Sequence, residues 1–185
     1  MKIGLGVIGI NPTNMGSTAT LLQDVPSLKY ELRGICAKRS DILKKYAQQI
    51  GVSYWTTNYK ELVKREDIDV VAIYSPDHLH AEHCVAAIQA GKHVICTKPM
   101  VTDLDDAKRL VELVREKEVK FLVGQTMRFD LQFSTMRRFF EDGDLGEILA
   151  SEAYYVHDMR EVYKMHTLEI GGATKPDVWW RSSSC

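Results

Sequence analysis

Up to about residue 124, short apolar runs alternate with segments of helical period, and this alternation constrains the fold more than any other feature of the chain. The strand-like runs are Lys2–Ile8, Glu31–Ala37, Val52–Thr56, Asp69–Tyr74 (DVVAIY), His93–Thr97 (HVICT) and Val119–Val123 (VKFLV). Between them, Ser17–Val25 reads as a short helix. Ser40 is expected to cap a helix carrying Leu43, Ala47 and Ile50, with Gly51 as its stop. Tyr59–Arg65 forms a helical turn or two. Asp77 or His78 opens the next helix, with a stripe of Ala81, Val85 and Ile88 and a close at Gly91. Thr102 with Asp105 resembles a capping box ahead of Leu104, Ala107, Leu110, Val111 and Val114. DVVAIY is apolar without interruption, as a sheet covered on both faces requires. Strands separated by helices predict an α/β fold built on a doubly wound parallel sheet over residues 1–124.

Beyond that point the pattern changes. Phe133–Phe140 reads as one amphipathic helix, GDLGE at 143–147 as a turn, and Ile148–Val156 as strand-rich; after His157 the periodicity fades. Residues 125–185 are read as the incomplete start of a second domain. Uncovered apolar residues there predict self-association through the region beyond about residue 145, or disorder there, and a homo-oligomer is expected.

A formal net charge of −1 argues against a nucleic-acid partner, which would need a clustered basic face. There is no apolar run of membrane-spanning length and no signal-peptide pattern at MKIGLGVIGINP. The four cysteines (36, 84, 96 and 185) have no paired spacing and read as reduced thiols in a cytoplasmic protein. Cys36 and Cys96 are expected to pack near strand ends.

The first apolar run leads into GVIGINPTNMGS. Gly9 sits where the tight turn of a dinucleotide-binding loop belongs, and the following helix N-terminus would attract phosphate. Asn11 replaces the middle glycine of the G-x-G-x-x-G pattern and tolerates left-handed backbone angles. The last glycine, Gly16, comes late, so Pro12 and Thr13 bulge toward the ligand. A carboxylate normally ends the second strand of such a fold and holds the ribose 2′-hydroxyl. Here that position is Ala37, followed by Lys38, Arg39 and Ser40. A neutral residue followed by donors suits a 2′-phosphate, which favours NADP over NAD. Two further strand ends, YSPDHLH and ICTKPM, converge on the same side. Lys98 lies just past the second of them, where a lysine next to nicotinamide can pass a proton to a substrate hydroxyl. His80, His83 and Cys84 share a helix face, but too few ligands accompany them for a tetrahedral zinc site, and no metal is expected.

The order of glycine loop, SPDHLH, AGKHVICTKP and GQTMRF resembles the Gfo/Idh/MocA oxidoreductases, the family of glucose–fructose oxidoreductase and inositol dehydrogenase. The resemblance covers about residues 2–157, and AAIQAGKHVICTKPM is its most specific piece. It implies a Rossmann domain followed by a domain on an open, mostly antiparallel sheet. The implied activity is NAD(P)-dependent hydride transfer to or from a sugar-like or cyclitol carbon, with a polyol or sugar-like small molecule as substrate. By position, Gly9 and Asn11 with the following loop hold the pyrophosphate, and Lys38, Arg39 and Ser40 face the adenosine ribose. Ser75, Pro76 and His80 lie along the cofactor, Arg128 matches an R-F pair after the sixth strand, and Lys98 helps position substrate and move a proton. Thr97 departs from the family's glutamate. The second domain's G-G-x-x-H-x-x-D segment has no match, since Gly171-Gly172 lacks the following His and Asp. These two departures support an alternative, a non-catalytic, regulatory dinucleotide-binding module.

Overall fold

The computed structural model describes residues 2–10, 29–156 and 158. The strands are β1 (Ile3–Ile8), β2 (Tyr30–Cys36), β3 (Trp55–Thr56), β4 (Val70–Ile73), β5 (His93–Thr97) and β6 (Phe121–Gly124). The helices are α1 (Ser40–Ile50), α2 (Tyr59–Val63), α3 (His80–Gln89), α4 (Leu104–Lys117) and α5 (Leu131–Glu141). All strand pairs are parallel, in the order β3-β2-β1-β4-β5-β6. The chain winds outward from β1 to β3 and then returns to β4 on the other side of β1, so a topological switch point lies between β1 and β4. The expected helix at Ser17–Val25 lies outside the described residues.

Burial explains why these runs become strands. All four residues of β4 are buried. Val71 and Ile73 pack with Cys84, Ala87 and Ile88 of α3 and Leu110 of α4, while Val70 and Ala72 join Leu43 and Ala47 of α1 on the opposite face. Each fully buried Leu or Ile contributes about 1.5–3 kcal/mol. Gly51 ends α1 in a left-handed conformation (φ 70°), and the Val52 amide donates to Ala47 O at 2.9 Å, which closes the last turn.

Several local expectations are corrected. Ser40 does not cap α1: it is the first helical residue, and Arg39 occupies the cap position without a side-chain hydrogen bond. The cap of α4 is Asp103 rather than Thr102. Its carboxylate accepts from the Asp105 amide at 2.8 Å and the Asp106 amide at 3.2 Å. A carboxylate also meets the positive helix end, which a threonine hydroxyl does not. Asp103→Ala is expected to cost about 1 kcal/mol in urea unfolding, with Thr102→Ala near neutral. On α4, Leu104 and Val111 are exposed, because they lie about a quarter turn or more from Leu110. On α3 the buried face is His80, His83, Cys84, Ala87 and Ile88 rather than Ala81–Val85–Ile88. The short strand expected over Val52–Thr56 shrinks to Trp55–Thr56.

The chain divides into two units after Met136. The second contains the end of α5, stapled by an Arg137–Glu141 ion pair at 2.8 Å, and a turn around Asp142–Leu145. No strand forms over Ile148–Val156, so neither the expected strand nor an antiparallel sheet is present among the described residues. An extended segment needs a partner to become a strand, and none of the described residues supplies one. Among the described residues no helix is long and apolar enough to cross a membrane.

Candidate functional site

Parallel pairing gathers the carboxyl ends of the strands at one edge of the sheet. Ile8 is level with Cys36 on one side and Ile73 on the other, Ile73 with Cys96, and Thr97 with Gly124. The residues just past these ends are Gly9, Ala37, Tyr74 and Lys98. Gly9 has φ 88°. A Cβ there would collide with the Ser75 amide nitrogen and come within 2.6 Å of Ser75 Cα. The Gly9 amide donates to Cys36 O at 2.9 Å, and the Tyr74 amide to Ile8 O at 2.7 Å. Gly9 is thus required by the close approach of the loops after β1 and β4, which forms the floor of the switch-point crevice.

Past β2, Ala37 is half-buried, and Lys38, Arg39 and Ser40 are exposed at the start of α1. Arg39 makes only a long, solvent-exposed contact with Asp41, 3.5 Å. Past β5, Thr97 is half-buried and Lys98 exposed, and the Lys98–Pro99 peptide is cis. Arg128 is exposed in a 3₁₀ turn over Thr126–Phe129.

Behind this surface lies a polar cluster. Ser75 is buried, and its hydroxyl is 2.8 Å from His83 Nδ1. His80 is fully buried; its Nε2 is 2.8 Å from Ser75 O and its Nδ1 2.8 Å from Pro99 O. Burial pushes the His83 pKa down to about 4, so His83 is neutral in the fold. Burial also opposes charge on His80, but the Cys96 sulfur and the Pro99 and Ser75 carbonyls outweigh it and lift the pKa to about 9. Cys96 Sγ donates to Met100 O at 3.7 Å. The neighbouring Cys84 thiol holds the Cys96 pKa down against the opposing effect of burial, and Cys84 itself is pushed up.

Crevice, strand order and the glycine-dependent turn are those of a dinucleotide-binding domain. Residues 3–125 match the profile described as an oxidoreductase family with an NAD-binding Rossmann fold. The chain belongs to the Gfo/Idh/MocA oxidoreductase family. It is 29% identical to levoglucosan dehydrogenase of Pseudarthrobacter phenanthrenivorans over 134 residues, 72% of this chain and 34% of the relative. It is 31% identical to 1,5-anhydro-D-fructose reductase of Ensifer adhaerens over 136 residues, 72% of this chain and 41% of that one. Among solved structures, scyllo-inositol dehydrogenase from Lactobacillus casei, with bound NAD(H) and scyllo-inositol, has a TM-score of 0.71 at 25% identity, covering 80% of this chain and 43% of that one. The matched part of this family member therefore corresponds to less than half the length of each of these relatives.

Of the residues singled out from the sequence, Gly9, Lys38, Arg39, Ser40, Ser75, Pro76, Thr97 and Lys98 lie along the strand-end edge. Asn11, Pro12 and Thr13 lie outside the described residues, as do His157 and Gly171-Gly172. His80, expected along the cofactor, is buried with both ring nitrogens against carbonyls, so it builds the wall of the crevice. The His83–Ser75 hydrogen bond and the Cys84–Cys96 pair went unassigned. The spacing of His80, His83 and Cys84 on one helix face was the available signal, weighed only for zinc and set aside for want of further ligands. Among the described residues no group of three His, Cys, Asp or Glu is arranged to hold one.

Proposed function

We propose that this chain binds a nicotinamide dinucleotide, NADP in preference to NAD, as the cofactor half of an oxidoreductase acting on a sugar-like or cyclitol hydroxyl or carbonyl carbon. The observation that carries the preference is the end of β2, where half-buried Ala37 precedes exposed Lys38, Arg39 and Ser40. Lys38 and Ser40 are exposed and Arg39 is held only by its long contact with Asp41, so the donors can meet a phosphate, and the strand-end position itself carries no carboxylate to repel it.

The residues present fit the cofactor: a glycine-dependent crevice at the switch point, basic donors on the ribose side, and a lysine on the opposite side past β5. When bound, the nicotinamide C4 gives or takes the hydride. The chain's share is to orient and to shield. Gly9, with Asn11, Pro12 and Thr13, would bind the pyrophosphate, and Ser75, Pro76 and Thr97 would line the crevice. Lys98 Nζ would move a proton to or from the substrate oxygen, and Arg128 would face the same side. Residues 125–185 would begin a substrate domain on an open sheet, in a cytoplasmic homo-oligomer. The relatives support the substrate class, since the scyllo-inositol dehydrogenase structure holds a cyclitol with NAD(H).

Thermal unfolding with NADPH, with NADH and with neither tests the reading, because a ligand that binds only the folded state raises the midpoint. The expected order is NADPH above NADH above neither. The reverse order keeps the dinucleotide site and overturns the NADP preference; no shift with either overturns both. Thr97, neutral where the family carries a glutamate, supports the second reading of a regulatory module. That reading gains if a dinucleotide binds and no member of a polyol, cyclitol and sugar panel is turned over.

A further inference from the structure

His80 faces two main-chain carbonyl oxygens, one from each ring nitrogen, at 2.8 Å each. A carbonyl oxygen only accepts, and a neutral imidazole has a single N–H and one bare lone pair. His80 is fully buried, so a bare ring lone pair aimed at an acceptor would be left unsatisfied, and on the buried Ser75 side the carbonyl with it. We infer that His80 is held as an imidazolium whose two N–H groups tie the Ser75 carbonyl after β4 to the Pro99 carbonyl after β5, making it a positioning residue for the Lys98 turn. The role of that turn rests on the dinucleotide reading; the protonation of the ring does not.

The surroundings are consistent with a buried cation. Cys96 of β5, whose Sγ donates to Met100 O at 3.7 Å, stands beside the ring and favours its charged form. From α3, His83 is kept neutral, which removes a competing positive charge, and Cys84 favours the charged form of Cys96. Asp77, buried in the turn before α3, adds a carboxylate close enough to act on Cys96. On this side of the sheet α4 contributes apolar Leu110. The consequence is mechanical. The loop that abuts Gly9 and the loop that bears Lys98 are joined through one charged ring, so the two walls of the crevice keep a fixed spacing while the ring keeps both protons.

The test is a long-range proton–nitrogen correlation spectrum of the nitrogen-15-labelled 185-residue chain at pH 7.5. His80 is assigned by its loss in His80→Gln, or by through-bond correlation from its own Cβ if that variant does not fold. The expected result is two protonated ring nitrogens, persisting through pH 8 and losing one proton near pH 9. One protonated and one bare nitrogen at pH 7.5 would overturn the inference. The coupling is read by NADPH titration from pH 7 to 10: affinity is expected to fall about tenfold as the ring deprotonates. In Cys96→Ser both steps should move together to lower pH. Affinity that ignores the ring's titration overturns the positioning role. Failure of NADPH and NADH to bind at any pH removes the dinucleotide reading and that role with it, while the spectrum alone decides the charge on the ring.

Discussion

Gly9→Ala is expected to cost the domain at least about 3 kcal/mol, a large part of the 5–15 kcal/mol that usually holds a domain together. Two effects add. The left-handed backbone at φ 88° costs a residue with a Cβ about 1–2 kcal/mol. The new methyl also meets the backbone of Tyr74 and Ser75, which no rotamer change can move aside. Gly51→Ala separates the two effects, because Gly51 also has a positive φ, 70°, but has nothing within 4 Å of the added carbon. It should cost only the backbone part, about 1–2 kcal/mol. Urea unfolding of both variants decides the matter: equal losses would mean that the approach of the β1 and β4 loops can relax. Since this approach forms the floor of the crevice, a folded Gly9→Ala protein should also lose most of its response to NADPH.

What could be read from the sequence followed from how each residue is satisfied. β4 and β5 are short apolar runs whose side chains need only burial, so hydrophobicity alone marks them, and alternation with helices made the sheet parallel and doubly wound. Gly9 and Gly51 are marked by chemistry that no other residue shares. α3 was misaligned because its inner face carries His80 and His83, polar groups that pack inside because carbonyls stand opposite both ring nitrogens of His80 and a hydroxyl opposite Nδ1 of His83. Those partners, Ser75 and Pro99, come from other loops, and no periodicity within the helix announces them. The same blindness shifted the α4 cap by one residue: Thr102 and Asp103 both qualify by type, and only the backbone angles choose between them. Ile148–Val156 has strand composition, but pairing is a property of two segments, and its composition describes one.

Ala37→Glu is expected to reverse the cofactor preference. The change places a carboxylate at the end of β2, where Ala37 stands half-buried, past the last residue paired with β1, and it leaves the Ala37 amide free to keep its bond to Thr56 O. A carboxylate there accepts from the ribose 2′-hydroxyl of NADH, and with a 2′-phosphate it places two negative charges in contact. Gain on one ligand and loss on the other each amount to about 1.5–3 kcal/mol, the scale of hydrogen bonds to charged groups. The ratio of NADPH to NADH affinity should therefore fall by about a hundredfold or more. Lys38→Ala and Arg39→Ala should act more weakly and only on NADPH. Arg39 gives up little by leaving Asp41, because an exposed pair at 3.5 Å is worth about 0–1 kcal/mol. Their effect should also shrink as salt is raised, since exposed charges are screened, while the hydrogen bond gained in Ala37→Glu should persist. Fluorescence titration of each variant with both cofactors, at low and at physiological salt, reads all of this. A ratio unchanged in Ala37→Glu would mean that the adenosine ribose does not lie over the end of β2, and the assignment of Lys38, Arg39 and Ser40 to a 2′-phosphate would fall with it.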